Sequence, residues 1–91
     1  MLMRVFSETI DVFKGFQYVI PQRLASHQSP YVKVRWQNQG VAYILLKTKK
    51  IEFYDTAPLE VRNQIDIIEN WIEKNYNICR KIWNKYNEAK I

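Results

Sequence analysis

Apolar and polar positions alternate along the first half of the chain and then change to a helical period. Tyr31-Val32-Lys33-Val34-Arg35-Trp36 alternates strictly, and Val41-Ala42-Tyr43-Ile44-Leu45-Leu46 returns after a polar gap. Asn38-Gln39-Gly40 reads as a three-residue hairpin loop, with Gly40 in the left-handed position of a bulge. That register sets Trp36 opposite Ala42, Val34 opposite Ile44 and Val32 opposite Leu46, all on one apolar face. Tyr31, Lys33, Arg35, Tyr43, Leu45 and Lys47 fall on the other. A slip by one residue would bury Lys33 and Arg35, so the pattern specifies which face is which.

Two shorter runs precede this pair. Thr9-Ile10-Asp11-Val12-Phe13 and Phe16-Gln17-Tyr18-Val19-Ile20 flank Lys14-Gly15, a two-residue hairpin connection. Pro21 ends the second run because it has no N–H to give a ladder. Residues 21–30 form a polar loop bounded by prolines. After Thr48-Lys49-Lys50, Ile51-Glu52-Phe53-Tyr54 makes a short last strand.

From Asp55 the period becomes helical. Asp55 or Thr56 can cap, Pro58 suits a first turn, and Glu60 favours the positive end of the helix dipole. Val61, Ile65, Ile68 and Ile72 form an apolar stripe that Cys79, Ile82 and Tyr86 continue. Asn75-Tyr76-Asn77 is the weak point, where one long helix bends or two helices meet. Strands followed by helix, without βαβ alternation, predict an α+β fold. An antiparallel sheet of about four strands (residues 9–54) carries a C-terminal helix or bent helix pair (58–88) on one face. Val32, Val34, Trp36, Ile44 and Leu46 should lie under that helix, against Ile65, Ile68 and Ile72.

The chain has 91 residues, 47% of them hydrophobic and 14% aromatic. That length suits a single small α+β domain, 1–91, and the composition argues against disorder. A single cysteine, Cys79, excludes an intrachain disulfide and a Cys-only metal cage. Two glycines exclude a Gly-rich phosphate loop. No run reaches the roughly 18 apolar residues of a spanning helix, so no membrane role is expected. The apolar start at Met1–Phe6 is too short for a signal h-region. The unpaired thiol fits a reducing compartment, and a cytoplasmic location is expected.

Charge is unevenly placed. The net charge is +5, yet residues 1–50 hold eight basic and two acidic residues while 51–91 hold six and seven. No acid occurs from Val12 to Ile51, a segment with Lys14, Arg23, Lys33, Arg35, Lys47, Lys49 and Lys50. A one-sign field attracts polyanions or an acidic partner, and it also keeps a small protein soluble. Tyr31, Lys33, Arg35, Tyr43, Lys47, Lys49 and Lys50 form the candidate binding face, where bases could stack on aromatics and phosphates meet cations. The same pattern is the ordinary wet face of a half-buried sheet.

No catalytic constellation stands out. His27 is the only histidine and lies in the polar loop; Cys79 lies on the core stripe. Asp66, Glu69 and Glu73 share a helix face and read as solvated surface. No catalytic residue, metal ligand or cofactor is assigned.

Three stretches resemble a small bacterial family, number four-one-six-zero among the domains of unknown function. They are Gly15-Phe16-Gln17-Tyr18, His27-Gln28-Ser29-Pro30-Tyr31-Val32-Lys33-Val34, and the paired endings Glu69-Asn70-Trp71 and Lys81-Ile82-Trp83-Asn84-Lys85-Tyr86. The resemblance spans roughly residues 10–88. The family carries a His-x-Pro-Pro-His-x-His-Val-like motif, of which His27 and Pro30 remain; Tyr31 and Lys33 occupy the positions of its further histidines. Members often stand in gene pairs that look like toxin–antitoxin modules, which implies a protein partner.

Three functions fit these observations, in this order. The first is a non-enzymatic interaction module binding a protein partner, as one half of a toxin–antitoxin-like pair would. The second is single-stranded RNA or DNA binding through the basic aromatic face. The third is a small toxin-type ribonuclease using His27 with Lys33 or Arg35.

Overall fold

A computed structural model describes residues 7–21, 29–87 and 91. Five strands follow one another as an antiparallel meander: β1 (Ser7–Phe13), β2 (Phe16–Pro21), β3 (Tyr31–Trp36), β4 (Gln39–Leu45) and β5 (Ile51–Phe53). A short turn of helix, α1 (Leu59–Arg62), leads into the long helix α2 (Ile65–Tyr86), which packs on one face. The arrangement is α+β as expected, with five strands where about four were expected.

Both early hairpins close on two-residue turns. Lys14 and Gly15 have φ of 51° and 87°, and Gln37 and Asn38 have 50° and 64°. Positive φ at both central positions matches the right-handed twist of the flanking strands. The second turn corrects the expected loop: it is Gln37-Asn38, and Gly40 lies in β4 without a positive φ. The expected pairing is corrected with it. Val34 faces Ala42 and Val32 faces Ile44, two residues from the expected partners, and a bulge follows Val34. A shift of two keeps every side chain on its own face. Val32, Val34, Ile44 and Leu46 are therefore fully buried. Trp36, beyond the bulge, is only half-buried.

The core lies between the sheet and α2. Phe16, Tyr18 and Ile20 of β2 join Val32, Val34, Ala42 and Ile44 against Val61, Ile68, Trp71, Ile72, Cys79 and Trp83. Ile65, expected among them, is half-buried at the start of α2.

The helical region breaks between Arg62 and Ile65, and α2 runs unbroken through Asn75-Tyr76-Asn77. Tertiary contacts outweigh propensity there. The Asn75 amide donates to the Trp71 carbonyl at 2.9 Å, and Tyr76 packs on the core. Neither Asp55 nor Thr56 caps α1; Pro58 holds that position with no side-chain hydrogen bond. Arg62 instead reaches back, donating to the carbonyls of Tyr54 (2.8 Å) and Ala57 (3.0 Å) with its guanidinium over the Phe53 ring. At the far end, buried Asn87 donates to the Pro21 carbonyl at 3.1 Å and ties the end of α2 to β2.

Candidate interaction face

The pleat of β3 and β4 places Lys33 directly opposite Tyr43, on the face turned away from α2. Tyr31 pairs with Leu45 and Arg35 with Gly40 on the same face, and Glu52 of β5 lies beside Tyr43. Val19 of β2 shares the face but is only 6% exposed, so the accessible part lies over β3–β5.

Aromatic rings cross this part in a row. The Tyr31 and Tyr43 rings meet edge to face at 6.1 Å, and Tyr43 and Tyr54 are 5.8 Å apart. Tyr31 also lies 6.0 Å from the buried ring of Trp83. One chain of rings thus runs from the core under α2 to the outer face. Burial pushes the Tyr31 and Tyr54 hydroxyls above the ordinary tyrosine range, each helped by a neighbouring tyrosine. Tyr54 escaped the alternation argument because it lies just past β5, where the period ends.

The basic residues separate into three kinds. Lys33 lies across Gly40: a Cβ built there would come within 2.8 Å of its Cε and 3.1 Å of the Tyr54 ring. A side chain at position 40 would have to push the end of Lys33 aside and shift the Tyr54 ring by a few tenths of an ångström. Lys33 and Lys47 have no acid within ion-pair distance among the described residues. Arg35 is committed to structure, its Nη2 donating to the Asn38 carbonyl at 2.7 Å across the tight turn. Its Nε is buried with no hydrogen-bond partner among the described residues.

Lys49 and Lys50 are engaged by acids. Lys49 sits against α2, 3.5 Å from Glu73 and 4.8 Å from the centre of the Tyr76 ring. Lys50 pairs with Glu52 at 3.0 Å, and that hydrogen-bonded carboxylate raises its pKa. Of the seven residues predicted for the face, Tyr31, Lys33 and Tyr43 come together with Tyr54, while Lys47 is exposed in the turn that follows β4. The sequence shows charge but not the distant acid that neutralises it.

His27 lies outside the described residues. Pro30 is buried, and its carbonyl accepts the Leu46 amide at 2.9 Å, holding the start of β3 to the end of β4. Cys79 is fully buried, and burial pushes its thiol up to about 12, far from nucleophile range. No group of histidine, cysteine and carboxylate side chains capable of holding a metal occurs among the described residues. Among the described residues no helix is long and apolar enough to cross a membrane. No family model matches the chain, and no curated protein or solved structure is similar to it.

Proposed function

We propose that this chain is a small non-enzymatic interaction module that grips a protein partner with the tyrosine row Tyr31–Tyr43–Tyr54 and the flanking Lys33 and Lys47. The row carries the reading: rings 6.1 Å and 5.8 Å apart lie beside cations of which several are already neutralised or structural. Tyrosine offers a large contact area at small entropic cost, with a hydroxyl for the wet rim. Protein interfaces are rich in such rings at their centre and keep charged groups such as Lys33 at the polar rim. A strand of nucleic acid needs a run of free cations to meet successive phosphates. A cytoplasmic partner made alongside this chain, as in a toxin–antitoxin-like pair, completes the proposal, although no family model supports that kinship.

The second reading, single-stranded nucleic acid, keeps one specific observation: Lys33 stands next to Tyr43 with no acid partner among the described residues. Purification at native expression level, before and after nuclease treatment, separates the two. A stoichiometric protein should stay bound after nuclease and be lost with Tyr43→Asp. Bound material that is RNA, and leaves with nuclease, would overturn the reading.

A further inference from the structure

The β1–β2 hairpin and the first half of α2 enclose a cleft of about 320 Å³, away from the tyrosine row. Asp11, Phe13 and Lys14 line one wall; Asp66, Ile67, Asn70, Trp71, Lys74 and Asn75 line the other. Its volume falls at the lower end of the range for small-molecule sites.

A bulge in β1 creates the floor. The ladder slips between Thr9 and Asp11, so Asp11 rather than Ile10 faces Tyr18 on β2. Bulges re-aim side chains in this way. The Asp11 carboxylate accepts the Trp71 indole N–H at 2.8 Å and the Val12 amide at 2.8 Å. No cation lies within ion-pair distance of it among the described residues. Beside it the fully buried Tyr18 hydroxyl has no hydrogen-bond partner among them either. A partly buried carboxylate without a counter-ion is an open position for an ammonium group.

The other charges narrow the ligand class. Asn87 ties the end of α2 to Pro21, so the helix starts near the Lys14-Gly15 turn. The sheet wall therefore runs from Lys14 to Asp11, and the helix wall from Asp66 to Lys74. Asp66 and Lys74 are separated by about 12 Å of helix rise. The lining carries two acids, Asp11 and Asp66, and two lysines, Lys14 and Lys74, with no ion pair between them among the described residues. Asp11 is joined to Trp71, and Lys74 lines the same cleft three residues, about 4.5 Å of helix rise, further along α2. An ammonium and a carboxylate carried on one carbon would reach Asp11 and Lys74, with an apolar body against half-exposed Phe13 and Ile67.

We propose that this cleft binds a small zwitterion of the α-amino-acid type, its ammonium on Asp11, its carboxylate on Lys74 and its apolar side chain on Phe13 and Ile67. Titration of the full chain with L-phenylalanine, phenethylamine and 3-phenylpropionate, followed by amide chemical shifts, tests it. L-Phenylalanine should give saturable shifts at residues 11–14 and 66–75, with a dissociation constant on the order of 1 mM for so small a ligand. Phenethylamine should bind more weakly, and 3-phenylpropionate not at all. Asp11→Asn keeps an oxygen for the Trp71 indole and removes the charge; it should weaken phenylalanine about tenfold or more. Lys74→Met, at an exposed position, should weaken phenylalanine and leave phenethylamine unchanged. No shifts up to about 10 mM phenylalanine, equal binding of the propionate, or full affinity in a folded Asp11→Asn variant would overturn the proposal.

Discussion

Tyr18 and Trp71 stack face to face, their ring centres 3.6 Å apart and their planes 2° from parallel. One ring comes from the second strand and the other from the second turn of the long helix, so this contact joins the two layers. Asp11 completes it by holding the Trp71 indole nitrogen. Burial, and then the nearby Asp11 charge, pushes the Tyr18 hydroxyl far above its ordinary range, so it stays protonated.

Trp71→Ala should cost about 3–5 kcal/mol of stability, and Trp71→Phe about 1–2 kcal/mol, since phenylalanine keeps a ring but loses the indole bond. Urea denaturation measures both. A cost below about 0.5 kcal/mol for the alanine variant would show that the layers are held elsewhere.

The two glycines should fail for different reasons. Gly15→Ala places a side chain at φ +87° and should cost about 1 kcal/mol through backbone strain. Gly40→Ala has no such strain but meets Lys33 and Tyr54. Truncating the lysine should therefore rescue it: Lys33→Ala combined with Gly40→Ala should destabilise less than the sum of the two single changes. Strict additivity in a double-mutant cycle would contradict the packing described for Lys33.

Arg35 and Lys33 stand two residues apart on one face but should behave differently. Arg35→Ala loses the bond to the Asn38 carbonyl and should lower stability by about 1–2 kcal/mol. Lys33→Ala should change stability by less than about 0.5 kcal/mol, its effect appearing in partner binding instead. Thermal melts of the two variants, side by side, check the assignment.

Stability should fall in alkali. Burial raises the Cys79 thiol from an ordinary 9.0 to about 12 and raises Tyr18, Tyr31 and Tyr54 as well. The unfolded chain releases these protons first, so the stability they contribute is complete below pH 9 and is lost as pH rises from 9 towards 12. A urea midpoint that holds constant over that range would contradict the burial. Ellman's reagent at pH 8 should react with Cys79 only as fast as the chain unfolds.

The strict alternation of Val32, Val34 and Ile44 made their burial legible, because a pleat allows only two faces. The turn between β3 and β4 was not legible. Gly40 looked like the residue for positive φ, yet Gln37 and Asn38 adopt it, and the Arg35 bond across the turn needs the folded hairpin to exist. The unbroken course of α2 through Asn75 was hidden for a similar reason, since local propensity carries no information about Tyr76 packing. On the face, Tyr31, Lys33 and Tyr43 followed from period two. The removal of Lys49 to α2 depends on Glu73, twenty-four residues away, and no local pattern encodes that distance.

If nucleic acid were the ligand, its affinity would fall by about 0.7 log unit per log unit of salt for each phosphate neutralised. With Lys33 and Lys47 the predicted face lysines that have no ion pair among the described residues, the slope for a poly(U) strand should be shallow, no steeper than about −2. A slope of about −4 or beyond, flattened by charge reversal at Lys33, would favour the nucleic-acid reading.

Photo-crosslinking from position 43 tests the central claim most directly. Tyr43 is replaced by a benzophenone amino acid, with Ile78, half-exposed on α2, carrying the same group as a control. At native expression the position-43 probe should give one protein adduct that resists nuclease and disappears when Lys33 and Lys47 are both changed to glutamate, while the position-78 probe gives none. Adducts to nucleic acid alone, or the same protein captured from position 78 and not from position 43, would contradict the account.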